Sequence, residues 1–237
     1  MLVCSTFEKV DGSPVTINDA KPNATSSWMM GDTIQFLDAG GGTRIRESDG
    51  LEAIYGYFTT ADGVPADGWY HYMSYFGGEY IPPEEGDDFS YGAGVVIQML
   101  DPTAGLVFSG AVHKGPATIV AAKEGWNIIG NPVPIDMTLS DVTPNATFSW
   151  MMGDTIQFLD AGGGTRIRES DGLEAIYGYF TTADGVPADG WYHYMSYFGG
   201  EYVTPDEVDN PVSAGTAMVV QTLDKSAGLQ FKAALAE

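Results

Sequence analysis

The residues able to carry chemistry are few in kind. The chain has three histidines, His71, His113 and His193, and one cysteine, Cys4. His71 and His193 share one context, between Trp69/Trp191 and Tyr75/Tyr197, so a single arrangement occurs twice. A strand histidine among tyrosines reads as a packed or surface residue rather than a general base, which needs a positioned partner and a substrate within reach. The chain carries no G-x-S-x-G, H-E-x-x-H, P-loop or dinucleotide fingerprint. Carboxylates are so numerous that no pair stands out as a glycosidase acid and nucleophile. The expectation is a protein that is not an enzyme. Cys4 alone excludes an intrachain disulfide and any multi-cysteine metal site, and it reads as a small buried thiol.

Hard-oxygen metal binding is the better chemical candidate. Glu84, Glu85, Asp87 and Asp88 cluster in one acidic loop, and Asp206, Glu207 and Asp209 in another. Calcium takes such ligands, but neither loop has the alternating spacing of an EF-hand or a calcium nonapeptide. Solvated turn acids are the competing reading. A second candidate surface is aromatic: Trp69, Tyr70 and Tyr72, with Trp191, Tyr192 and Tyr194, recur in Trp69–Phe76 and its copy. Read as a strand, that stretch puts aromatics on both faces, suited to stacking on sugar rings or to a protein interface. Asn23-Ala24-Thr25 and Asn145-Ala146-Thr147 are N-glycosylation sequons, meaningful only for an exported chain.

Those residues must be held by something, and the composition says what. The 237 residues include 31 glycines, which suit turn-rich β structure and burden helices. Ten Lys+Arg against 32 Asp+Glu give a net charge of −22. That balance excludes binding to nucleic acid through phosphates and docking on an anionic membrane surface. No apolar run is long enough to span a bilayer. The start of the chain lacks a basic segment followed by an apolar one, so a complete signal peptide is not expected there.

The strongest signal is a repeat. Residues 22–80 recur at 144–202, with Ser26 against Phe148 as the one difference. Gln98-Met99-Leu100-Asp101 then matches Gln221-Thr222-Leu223-Asp224, after a one-residue length change in the divergent loops 81–92 and 203–215. Short β-favouring runs at 33–37, 51–60, 69–76, 94–100 and 106–108 are divided by Gly/Asp/Pro turns, as are 117–122 and 126–129. The expected fold class is all-β: two tandem β-sandwich or small-barrel domains from an internal duplication. Domain 1 spans 1–112, a connecting β segment 113–122, and domain 2 spans 123–237.

The connector carries the functional expectation. The segment containing Ala117, Thr118, Ile119 and Val120 occurs once while the core occurs twice. If it is a strand of the fold, one domain lacks its own copy and presents an unpaired edge that another chain can complete. Head-to-tail completion generates a filament or lattice. The partners expected are copies of the same chain. No cofactor is expected beyond candidate calcium.

Gly125-Trp126-Asn127-Ile128-Ile129-Gly130-Asn131-Pro132 resembles the GWNLIGNP-type strand-turn of exported bacterial surface proteins and C-terminal repeat modules. Gly-Asp-Thr-Ile-Gln at 31–35 and 153–157 is similar to the GD-x-I step that follows it there. The resemblance implies β-sandwich repeats at the cell surface or outside the cell, with mostly unassigned function and no catalytic residues. The expectation is therefore an extracellular structural protein that self-assembles through strand and aromatic contacts. The alternative is a carbohydrate-binding or adhesin module using the repeated aromatics.

Overall fold

Short β-branched and aromatic runs form the strands, and glycine-bearing turns end them. The computed structural model describes residues 2–9, 13, 15–85, 87–89, 92–108, 111–112, 117–120, 124–206 and 211–232. In the first half we label β1 (Leu2–Cys4), β2 (Lys21–Pro22), β3 (Thr33–Gln35), β4 (Ile54–Phe58), β5 (Gly68–His71), α1 (Tyr72–Phe76), β6 (Gly94–Gln98) and β7 (Leu106–Val107). There follow β8 (Ala117–Val120), β9 (Gly125–Gly130), β10 (Val142–Pro144), β11 (Thr155–Gln157), β12 (Ile176–Phe180), β13 (Gly190–His193), α2 (Tyr194–Phe198), β14 (Ala217–Thr222) and β15 (Gly228–Phe231).

The protein is all-β, with antiparallel sheets that do not close among the described residues, so these residues do not form the small-barrel alternative. One five-stranded sheet runs β1-β6-β3-β4-β5 and the other β9-β14-β11-β12-β13. Their registers correspond: Ile34 faces Tyr55 and Ile97, as Ile156 faces Tyr177 and Val220. A second layer covers each. In the second half it is the three-stranded sheet β8-β15-β10, in the first the pair β7-β2. The second-half core lies between layers, with Ile156, Tyr177, Trp191 and Met218 on one side and Ile119, Val142, Leu229 and Phe231 on the other. The first-half core gathers Ile34, Tyr55, Trp69 and Ile97 with Val15, Ile17 and Phe89. No helix among the described residues is long and apolar enough to cross a membrane.

One local reading is corrected. The stretch 69–76 is not a single strand: β5 stops at His71, and Tyr72–Phe76 winds into one helical turn. The reason is a cap. His71 Nδ1 accepts the Ser74 backbone N–H at 3.2 Å and meets Ser74 Oγ at 2.7 Å, satisfying a donor that the turn would orphan. The alternation of faces therefore ends at His71, and His193 with Ser196 repeats the device.

The start of the chain pairs in a register that sequence alignment hides. Leu2 faces Val96 as Ile128 faces Val219, so Leu2-Val3-Cys4 takes the place of Ile128-Ile129-Gly130. The two leading strands then lie against each other's sheets. Val3 bridges Thr216 and Ile129 bridges Ala93. Cys4 N–H donates to the Gly215 carbonyl at 2.9 Å, and Gly130 N–H to the Gly92 carbonyl at 2.8 Å. These matched contacts give the junction a local two-fold character, and they occupy backbone groups that an open edge would expose.

Candidate functional site

Unusual exposure, cavity or missing partners occur at the outer edge of β7, at a slot at the junction, and at an aromatic cavity beside Ser26. The edge comes first. β8 pairs with β15 in the register Ala117–Phe231, Thr118–Gln230, Ile119–Leu229 and Val120–Gly228. The connector strand thus belongs to the second layer of the second half, in the same chain. β7 is the counterpart of β15. It pairs with β2, Leu106 to Pro22 and Val107 to Lys21, and carries no strand on its other side among the described residues. The burial follows: Leu229 and Phe231 are 0% exposed, whereas Leu106 and Phe108 are half-buried; Val107 faces solvent, as its counterpart Gln230 does. Asn23 N–H bonds the Gly105 carbonyl. Alternation along an antiparallel pair therefore turns the Leu106 backbone groups toward the open side.

The slot follows the same logic. Trp126 lies on the loop at Ala39–Gly41, its N–H donating to the Ala39 carbonyl at 2.8 Å. A β-carbon on Gly41 would stand 3.0 Å from the indole, and Gly41 has φ +84°. A side chain is therefore excluded there on two counts. The corresponding Gly163 has nothing within 4 Å of the same position. Beside that loop is a cavity of about 270 Å³, lined by Leu2, Phe158, Leu159, Ala161 and Thr216 among others.

The third place is a cavity of about 370 Å³ walled by Trp28, Tyr57, Trp69 and Met99, with Asp32 and Asp62 also in its lining. Asp32 is 5% exposed and accepts the Ser27 and Leu100 backbone N–H groups at 2.7 and 3.0 Å. Asp62 caps its own turn: the Thr59 backbone N–H holds its carboxyl below the usual range, with help from the Thr59 hydroxyl and the Trp28 side chain. In the second half the ring of Phe148 packs edge-on against Trp191, with centroids 5.5 Å apart. Ser26 has no such ring to offer Trp69. Sequence reasoning saw the Ser26/Phe148 difference without reading it as a cavity, which becomes visible only when Trp69 is known to lie beneath it.

The aromatics singled out in the sequence are mostly structural. Trp69 and Trp191 are buried, their indole N–H groups donating to the Ala20 and Val142 carbonyls at 2.8 and 2.7 Å. Tyr192 is buried, while Tyr70, Tyr72 and Tyr194 are half-buried. Tyr70, Tyr72, Tyr192 and Tyr194 donate their hydroxyls to the carbonyls of Ala66, Trp28, Ala188 and Trp150. They form no exposed flat platform. The large apolar side chains that do stand out are Met29, Met73 and Phe76, with Met151, Met195 and Phe198 in the second half.

The acidic loop is turned inward at Asp87. Its carboxylate pairs with Arg44, accepts the Tyr55 hydroxyl at 2.5 Å and accepts the Glu84 N–H at 2.7 Å. Burial, followed by this carboxylate, pushes the Tyr55 phenol well above its ordinary range. Glu84 accepts the Ser48 N–H at 2.8 Å, and Glu85 is exposed. The Asp88 backbone pairs with Thr16, Asp206 is half-buried, and Glu207 and Asp209 lie outside the described residues. Among the described residues no three His, Cys, Asp or Glu side chains converge to hold a metal. The sequon amides are engaged as well: Asn23 and Asn145 Nδ2 each donate at 2.7 Å, to the Thr103 and Ser226 carbonyls. His71 is buried, and burial lowers its pKa. It therefore offers no exposed base, and His113 lies outside the described residues. No family model, curated protein or solved structure matches this chain.

Proposed function

We propose that the chain is a non-enzymatic structural module of the cell exterior: two tandem β-sandwich units, arisen by internal duplication, that associate with further copies of themselves through strand edges. The observation that carries this reading is the contrast between β15 and β7. The same strand position is sealed by β8 in one half, burying Leu229 and Phe231, and in the other carries no second strand among the described residues. Bare edges with apolar neighbours pair with other strands.

The geometry also narrows how copies meet. Each chain has one β8 and two edges that fit it. Passing β8 head-to-tail to a neighbour's β7 uncovers β15, so it gains no strand pairs. Pairing β7 with β7 of a second copy covers two bare edges at once and closes as a two-fold dimer. Growth into a filament or layer then needs a further contact. The matched faces around Met29, Met73 and Phe76, and around Met151, Met195 and Phe198, provide an apolar one. The carbohydrate-binding alternative has less to stand on, because Trp69 and Trp191 serve the core.

Light scattering and electron microscopy over a range of concentrations, with and without a calcium chelator, test the proposal. The wild type is expected to form dimers and larger species. Val107→Lys, which places a charge on the exposed edge, is expected to abolish the edge-paired dimer, at a small cost in thermal stability because Lys21 lies directly opposite. A wild type that stays monomeric throughout, or association untouched by Val107→Lys, would overturn it.

A further inference from the structure

Phe148 and Ser26 are the one difference between 22–80 and 144–202, and a second difference lies beside it. Gln35 faces Val96 and Gln157 faces Val219, so Met99 of the first half corresponds to Thr222 of the second. The pairs are therefore Ser26 with Met99, and Phe148 with Thr222. Phe148 and Thr222 are buried in a packed core. Ser26 and Met99 instead line the cavity of about 370 Å³. Met99 is unbranched and half-buried, a side chain able to move aside for a guest. In the second half the position of Ser26 carries a benzyl group set edge-on against the tryptophan.

The polar lining selects among aromatic guests. The buried Asp32 and the capping Asp62 contribute carboxylates, and no cationic side chain lines the cavity. Their oxygens accept N–H and O–H donors already, and each carboxylate has lone pairs to spare. An amine fits this wall, and a carboxylate is repelled by it as well as by the net charge of −22. The cavity is of small-molecule dimensions, aromatic-walled with a few convergent polar groups.

We infer that the first half binds a small arylalkylamine, its ring in the space that Phe148 fills in the second half and its ammonium toward Asp32 and Asp62. This inference is independent of the association proposal, since it uses neither β7 nor β8.

Calorimetric titration of the full chain with benzylamine, with benzoate as control, tests it. Saturable binding of one benzylamine per chain is expected, with benzoate at least tenfold weaker. Grafting the second-half pair onto the first, Ser26→Phe with Met99→Thr, is expected to abolish binding. The reverse graft, Phe148→Ser with Thr222→Met, is expected to raise the stoichiometry to two. Both combinations already exist in this protein, and circular dichroism confirms folding of each variant. No saturable benzylamine binding to the wild type, equal affinity for benzoate, or a stoichiometry of one in every variant would overturn the assignment.

Discussion

The sulfur of Cys4 stands 2.2 Å from the point a β-carbon on Gly130 would occupy. These residues are equivalent in the two leading strands, Cys4 facing Gly94 and Gly130 facing Ala217, and they meet where the halves join. A local two-fold axis leaves room for one side chain at such a meeting point, so an asymmetric pair is required. The thiol is buried, and burial pushes its pKa up to about 12. It acts as a small apolar filler within reach of the Asn131 carbonyl, at 3.4 Å.

Gly130→Ala should therefore be strongly destabilising, because the new methyl also meets the Thr216 carbonyl, at 2.7 Å. A loss of about 3 kcal/mol is expected from overpacking of this kind, read from the urea midpoint. Adding Cys4→Gly should recover a substantial part of it. A double variant no more stable than Gly130→Ala alone would mean that sulfur and methyl do not compete.

Asp87→Asn tests whether the acidic loop is a structural counter-ion. Asp87 holds Arg44, Tyr55 and the Glu84 N–H, while the neighbouring Arg46 is buried against Tyr55 and the Pro82 carbonyl. Removing the buried charge leaves Arg44 without its carboxylate, at a cost of about 3 kcal/mol. Denaturant unfolding with and without added calcium checks this. A wild type stabilised by millimolar calcium, with Asp87→Asn insensitive to it, would instead make the loop a metal site.

Acid sensitivity should centre on the two capping histidines. Burial chiefly lowers the pKa of His71 and His193 below 6.5, with Arg46 and Arg168 acting in the same direction and the Glu52 and Glu174 carbonyls opposing. The unfolded chain then binds protons that the folded chain refuses. Their contribution is complete above pH 6.5 and is lost as pH falls from there toward the folded pKa, by up to about 1.4 kcal/mol per pH unit for each. Urea unfolding between pH 5 and 8 should show this slope, and His71→Gln with His193→Gln should flatten it. An unchanged slope would assign the acid response to carboxylates.

Strand existence was legible because Thr33–Gln35, Ile54–Phe58 and Gly94–Gln98 are short β-favouring runs bounded by turn residues, a local signal. The helical turn after His71 was missed because its cause is one side-chain hydrogen bond within an aromatic run that also suits a strand. The equivalence of Leu2–Cys4 with Ile128–Gly130 is invisible in composition and emerges only from their partners, Val96 and Val219. Asp87 looked like a calcium ligand because acidity is visible in sequence and a partner 43 residues away is not. The uniqueness of Ala117–Val120 was legible, but its owner was not: any apolar β segment fits a bare edge, and only tertiary pairing shows that β15 takes it.

The reciprocal grip of the leading strands bears on separability. Releasing either half by cleavage near the connector would strip Val3 of Thr216 and Ile129 of Ala93, and would remove Trp126 from its seat on Gly41. Each fragment would inherit a fresh sticky rim in exchange for a companion. Isolated halves should therefore be harder to keep in solution than the whole, however self-sufficient their sheets look on paper.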